Sequence, residues 1–116
     1  MTERRCFALD LKDDPELIAR YRESHAPGEV WPEISASIRA AGVEALEIYL
    51  VGNRMFMIME TGPGFSAEAK AAADAADPRV QEWEALMWTF QQALPWAEPG
   101  QKWVPLERIY ALDEQP

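Results

Sequence analysis

The 116 residues carry 20 acidic against 11 basic side chains, a formal charge of -9, with one histidine and one cysteine. That field disfavours nucleic acid and anionic membrane surfaces, which are bound through clustered Lys and Arg, and it penalises a neutral small molecule least. One Cys excludes an internal disulfide, one His beside one Cys cannot supply the three or four converging ligands of a common zinc site, and no Mg²⁺ or Ca²⁺ ligand loop of recognisable spacing is present, so no metal is expected.

In chain order, the start Met1-Thr2-Glu3-Arg4-Arg5-Cys6 lacks the apolar core of a signal peptide, and the apolar run Met55–Met59 is too short to span a bilayer. The expected compartment is therefore the cytoplasm. Arg5–Leu11 alternates Phe7, Leu9 and Leu11 against smaller or polar residues and reads as a strand. Asp13-Asp14-Pro15-Glu16 opens a helix carrying Leu17, Ile18, Tyr21 and His25 up to Pro27-Gly28. Trp31-Pro32-Glu33 opens a second, with Ile34 and Ile38 four apart and Gly42 placed to end it.

Val43–Val51 alternates again, Leu46, Ile48 and Leu50 one way and Glu47, Tyr49 and Val51 the other. Gly52-Asn53 suits a tight hairpin, and Arg54–Thr61 returns with faces Met55/Met57/Met59 and Phe56/Ile58/Glu60. After the turn Gly62-Pro63-Gly64, an alanine-rich helix runs over 66–76, and Asp77-Pro78 starts another with Val80, Trp83, Met87, Phe90 and Leu94 at helical steps. Pro95–Gln101 is a loop whose Trp96 is placed to cover a pocket, and Trp103–Leu112 reads as a last strand. The whole, residues 1–116, is one α+β domain in the ferredoxin-like βαββαβ order, with helices on one face of an antiparallel sheet. The bare second face predicts a homodimer, a dimeric α/β barrel.

Tyr21 and His25 are four residues apart, so a helix would set phenol and imidazole side by side. Imidazole is the one side chain here that titrates near neutrality without perturbation, which makes His25 the natural proton carrier. Spacing alone leaves other assignments open. Trp83 falls on the apolar stripe of its helix, Trp31-Pro32 fits a hydrophobic staple, Tyr49 fits a dimer interface, and Glu47 and Glu60 fit solvated or paired edge charges.

The succession Tyr21-x-x-x-His25, Trp31-Pro32-Glu33-Ile34, Ile48-Tyr49-Leu50 and Val80-Gln81-Glu82-Trp83 resembles the L-rhamnose mutarotase family over essentially the whole chain. The resemblance implies a dimeric α/β barrel that interconverts the α and β anomers of 6-deoxy-L-sugars without a cofactor. It implies that His25 is the general acid, that Tyr21 contacts sugar, and that Trp83 is the first of the family's paired tryptophans. The second of that pair is Glu84 here, a sugar-contacting tyrosine falls on Leu46, and two extra residues lie within Pro27-Gly28-Glu29-Val30. These departures touch substrate contacts and spare the proton carrier, so they point to L-fucose or a stereochemical relative.

Residue chemistry agrees with that expectation. Anomerisation needs one proton delivered to the ring oxygen and one removed from the C1 hydroxyl, and imidazole serves both directions. A neutral sugar needs hydroxyl-matching groups and a flat apolar wall, for which Trp83 and Tyr49 supply rings and Glu47 and Glu60 supply acceptors. Two alternatives stand beside this one: a small oxygenase on the same dimeric fold, and a non-enzymatic dimer that binds a metabolite.

Overall fold

The computed structural model describes all 116 residues. Strand β1 (Glu3–Leu11) leads into helices α1 (Pro15–Ser24) and α2 (Pro32–Ala40), then the hairpin β2 (Val43–Val51) and β3 (Arg54–Thr61). Helices α3 (Ala67–Ala76) and α4 (Pro78–Trp88) follow, with two-residue strands β4 (Gln91–Gln92) and β5 (Val104–Pro105) and a closing 3₁₀ turn, Leu112–Glu114. The strands form one antiparallel sheet in the order β2-β3-β1-β4, with β5 also on β1, and the sheet is not closed on itself. The fold is α+β. No helix is long and apolar enough to cross a membrane.

Local chemistry accounts for the boundaries. Asp14 Oδ1 accepts the amide protons of Glu16 and Leu17 at 2.9 and 3.2 Å, capping α1 with Pro15 in its first turn. Asp77 caps α4 in the same way, and Ser66 Oγ accepts from Ala69 at the start of α3. The β2–β3 turn carries a positive φ of 58° at Gly52 and none at Asn53, the pattern of a type II′ hairpin, which suits the twist of the flanking strands.

A bulge at Glu44 breaks the β2–β3 register between Val43 and Ala45, and its effect on side-chain placement is large. Beyond it Leu46, Ile48 and Leu50 stand opposite Met59, Met57 and Met55, which stand in turn opposite Arg5, Phe7 and Leu9. Cross-strand partners share a face, so these residues face the helices together. There Leu9, Leu11 and Met55 meet Tyr21, Ile34, Val80, Trp83 and Met87 in the core. Leu9 is fully buried, and truncating such a leucine to alanine costs about 2–5 kcal/mol.

Two expected elements differ. The helix ending in Phe90 and Leu94 stops at Trp88, because Thr89 turns its hydroxyl back onto the Leu86 carbonyl at 2.6 Å and releases Gln91 to pair with Leu11. The expected strand Trp103–Leu112 contracts to Val104–Pro105 against Ala8 and Phe7. Pro105 has no N–H to continue a ladder, and after the bond from Leu106 N–H to the Cys6 carbonyl the chain leaves the sheet. The departing segment exposes Ile109, Tyr110 and Leu112, and the radius of gyration, 15.0 Å, exceeds the roughly 13 Å of a compact chain this long.

Candidate active site

The end of α1 builds the centre of the site. At His25 the helix tightens: its amide bonds to the Arg22 carbonyl at 3.2 Å, which withdraws the helical partner of the Tyr21 carbonyl. Two side chains take that carbonyl instead, Ser24 Oγ donating at 2.7 Å and His25 Nδ1 at 2.9 Å. A carbonyl only accepts, so the neutral ring carries its proton on Nδ1 and Nε2 keeps a bare lone pair. Ser24 Oγ lies a further 2.9 Å from Nδ1 and steadies the same nitrogen.

The imidazole stacks on the Tyr21 ring, with centroids 4.2 Å apart and planes 24° from parallel. Trp83 of α4 lies 5.6 Å from it, and Trp31 abuts Trp83 edge-on at 5.0 Å. His25 is held below its ordinary value of 6.5 by burial, opposed in part by its bond to the Tyr21 carbonyl. Burial also raises Tyr21, opposed by a hydrogen bond from Gln91. At neutral pH the pair is therefore an uncharged imidazole beside an uncharged phenol.

The rings of Tyr21, His25 and Trp83 border a cavity of about 750 Å³ between the helices and the sheet. Tyr21, His25, Trp83, Glu84 and Leu46 all line it, so five of the residues singled out in the sequence meet in one place. Leu46 and Met57 rise from the sheet below, while the Glu84 carboxylate makes none of the protein's salt bridges. Lys102 reaches the same rim, donating to the Glu84 carbonyl at 3.2 Å. No group of three or more His, Cys, Asp or Glu side chains could hold a metal ion.

Three expected contacts, Glu47, Tyr49 and Glu60, are not in the cavity. Glu47 and Tyr49 pair with Ile58 and Phe56 across β2–β3, on the sheet face away from the helices. There the Tyr49 hydroxyl donates to Glu47 Oε1 at 3.1 Å, and neither residue borders the cavity. Strand alternation is the reason: Leu46 and Ile48 face inward, so their neighbours must face outward. Glu60 lies on that outer face too, 3.6 Å from Arg4. Trp96, expected to cover a pocket, does not border this cavity; it is 71% exposed and lies under the Arg54 guanidinium at 5.3 Å.

Other residues around the site carried no sequence signal strong enough to single them out. Gln91 fell inside an apparent helix tail, Lys102 adjoined a loop, and Trp103 had no assigned role, yet all three line the cavity. Ser24 was visible only as a neighbour of His25. Its part depends on the tightened last turn, which periodicity does not report.

The profile of the L-rhamnose mutarotase family matches residues 4–112. The chain is 54% identical over 112 residues to an L-fucose mutarotase of Xanthomonas campestris, covering 97% of this chain and 90% of that protein. It is 27% identical over 108 residues to an L-rhamnose mutarotase of Acidiphilium cryptum, covering 91% and 96% of the two chains. The crystal structure of an L-rhamnose mutarotase from Formosa agariphila superposes with a TM-score of 0.68 at 21% identity, over 95% of this chain and 98% of that one. At that identity the superposition speaks for the fold.

Proposed function

We propose, because this chain belongs to the L-rhamnose mutarotase family, that it interconverts the α and β anomers of a 6-deoxy-L-hexose without a cofactor and prefers L-fucose to L-rhamnose. Membership makes the chain an isomerase of carbohydrate metabolism. The observation that carries the reaction is the His25 imidazole at the cavity wall, tautomer fixed through Nδ1 and Nε2 without a protein partner.

The chemistry balances on proton transfers alone. Nε2 takes the proton of the C1 hydroxyl as a second donor protonates the ring oxygen, the C1–O5 bond breaks, and an aldehyde forms. Rotation about C1–C2 presents the other face. The O5 hydroxyl then adds to the carbonyl carbon, returning its proton to the second donor, while imidazolium gives its proton to the carbonyl oxygen, which becomes the new C1 hydroxyl. Trp83 supplies an apolar wall for the C–H face of the sugar.

Two observations support L-fucose. Glu84 and Leu46, which stand where the family has aromatic sugar contacts, both border the cavity and offer a carboxylate and a small aliphatic surface instead. A hydrogen bond from a sugar hydroxyl to a carboxylate is worth about 1.5–3 kcal/mol, enough to reorder epimers that differ in hydroxyl direction. The relative that shares 54% of its residues is an L-fucose mutarotase.

We also propose a homodimer completing an α/β barrel of ferredoxin-like halves. Phe56, Ile58 and Tyr49 share the sheet face that no helix covers, and the apolar segment beyond Leu106 finds no partner on its own chain. A second copy offers surface to both.

Saturation-transfer NMR on each sugar at anomeric equilibrium, or polarimetry on freshly dissolved anomers, tests the reaction. The expected result is enzyme-dependent exchange, faster for L-fucose. Faster exchange of L-rhamnose would overturn the sugar, and no exchange of either would overturn the reaction.

A further inference from the structure

Gln91 is almost fully buried, at 5% exposure, and it borders the cavity. Its backbone pairs with Leu11, itself fully buried on the helix side of the sheet, so the pairing directs the Gln91 side chain to that same side. There its carboxamide Nε2 donates to the Tyr21 hydroxyl oxygen at 3.3 Å. Its other polar atom, Oε1, is the one buried side-chain nitrogen or oxygen in the protein with no hydrogen-bond partner.

An amide kept in such a place, half unsatisfied, costs stability that an apolar residue of the same size would not. The neighbouring phenol supplies a reason to keep it. A tyrosine hydroxyl can donate once and accept twice. Gln91 fills an acceptor position on the oxygen, while the Tyr21 hydrogen is donated to no protein atom. The hydroxyl thus remains a donor available to whatever occupies the cavity.

We propose that Gln91 is a positioning residue that acts through Tyr21, holding its hydroxyl so that the hydrogen is presented to a sugar oxygen at the face of His25. This rests on the mutarotase reading above. The 2-residue strand β4 is then what carries the site's third polar group, and its brevity is no obstacle, since the backbone pairing of Gln91 with Leu11 is all that the placement needs.

Four variants separate the possibilities. Gln91→Leu removes the donor while keeping similar bulk. It should lower kcat for L-fucose exchange about 10-fold, as Tyr21→Phe does, with KM changed less than about 2-fold, because the hydroxyl is misdirected and the binding walls remain. The double variant should be no slower than Tyr21→Phe alone, since a residue working only through that hydroxyl has nothing left to position. Gln91→Glu gives a carboxylate that captures the Tyr21 hydrogen near neutral pH and a carboxylic acid that can donate again in acid. Its rate relative to the wild-type protein should therefore recover as pH falls.

A readout independent of turnover is the titration of the Tyr21 hydroxyl, followed by ¹³Cζ NMR. Loss of the Gln91 donor should move it further upward, because the phenolate loses a hydrogen bond. If the wild-type chain exchanges no sugar, the mutarotase reading fails and this titration still decides the role of Gln91. An unchanged titration in Gln91→Leu, wild-type kcat in Gln91→Leu or in Tyr21→Phe, or losses that multiply in the double variant would each overturn the proposal.

Discussion

The two faces of the sheet are built by the same strands from alternating residues, yet they do different work. On the helix side Leu9, Leu11 and Met55 are buried beneath α1, α2 and α4, and the cavity with His25 opens beside them. On the outer side Tyr49 is 50% exposed and Val51 67%, and polar groups pair among themselves: Tyr49 with Glu47, Arg54 with Asp10, Arg4 with Glu60. Ile48 and Tyr49 are adjacent in sequence and share no surroundings. The difference teaches that candidacy for a site on a strand is settled by parity, and here parity passes through the bulge at Glu44.

The largest expected effect tests the inner face. His25→Ala should remove catalysed exchange, a loss of about 10²–10⁴-fold, with fold and oligomeric state retained. Saturation-transfer NMR on the folded variant measures it, and a rate near that of the wild-type protein would end the assignment of His25.

Next is the outer face. Ile58→Asp places a charge among Phe56 and Tyr49 without touching the cavity. Burying an unpaired carboxylate in an interface is costly, so the variant should shift sedimentation at micromolar concentration from the dimer to the 13.2 kDa monomer. A wild-type protein that is already monomeric there would refute the barrel.

A smaller effect is expected with pH. Burial holds His25 below 6.5, so the neutral ring with its bare Nε2 persists under that value. The exchange rate should stay level as pH falls through 6.5 and decline only in more acidic solution, once the ring takes up a proton. The unfolded chain binds that proton more readily than the folded one, so His25 contributes stability in full above 6.5 and loses it progressively below. A pH–rate profile and thermal unfolding of wild type against His25→Gln check both.

The smallest effect sharpens the contrast most. Tyr49→Phe and Glu47→Ala break the outer hydrogen bond and should leave KM and kcat for the sugar within about 2-fold, because neither side chain reaches the cavity. A clear rise in KM would show that the outer face meets substrate after all.

Much of this was legible in one dimension. The capping aspartates, the Gly52 hairpin and the alternation of β1, β2 and β3 depend on neighbours two to four residues away, and local patterns report local physics. The pairing of Tyr21 with His25 was legible for the same reason, since one helical turn brings them together. The end of α4 was not, because Thr89 bonds back to Leu86 where the apolar period runs on through Phe90 and Leu94. Nor was the end of the last strand, where the chain leaves β1 after the Leu106 bond to the Cys6 carbonyl although its apolar residues run on to Leu112.

The sequence by itself determined the composition, the α+β order and the pairing of Tyr21 with His25, since each follows from residue identity or from contacts within a few residues. Only the tertiary structure decided which candidates meet. The register of β2 on β3 turned Leu46 inward and Glu47 and Tyr49 outward, and the return of the chain after α4 delivered Gln91 to a tyrosine seventy positions earlier. Such meetings depend on strand pairing between distant segments, where a shift of one residue reverses every side chain, and no local pattern encodes that choice.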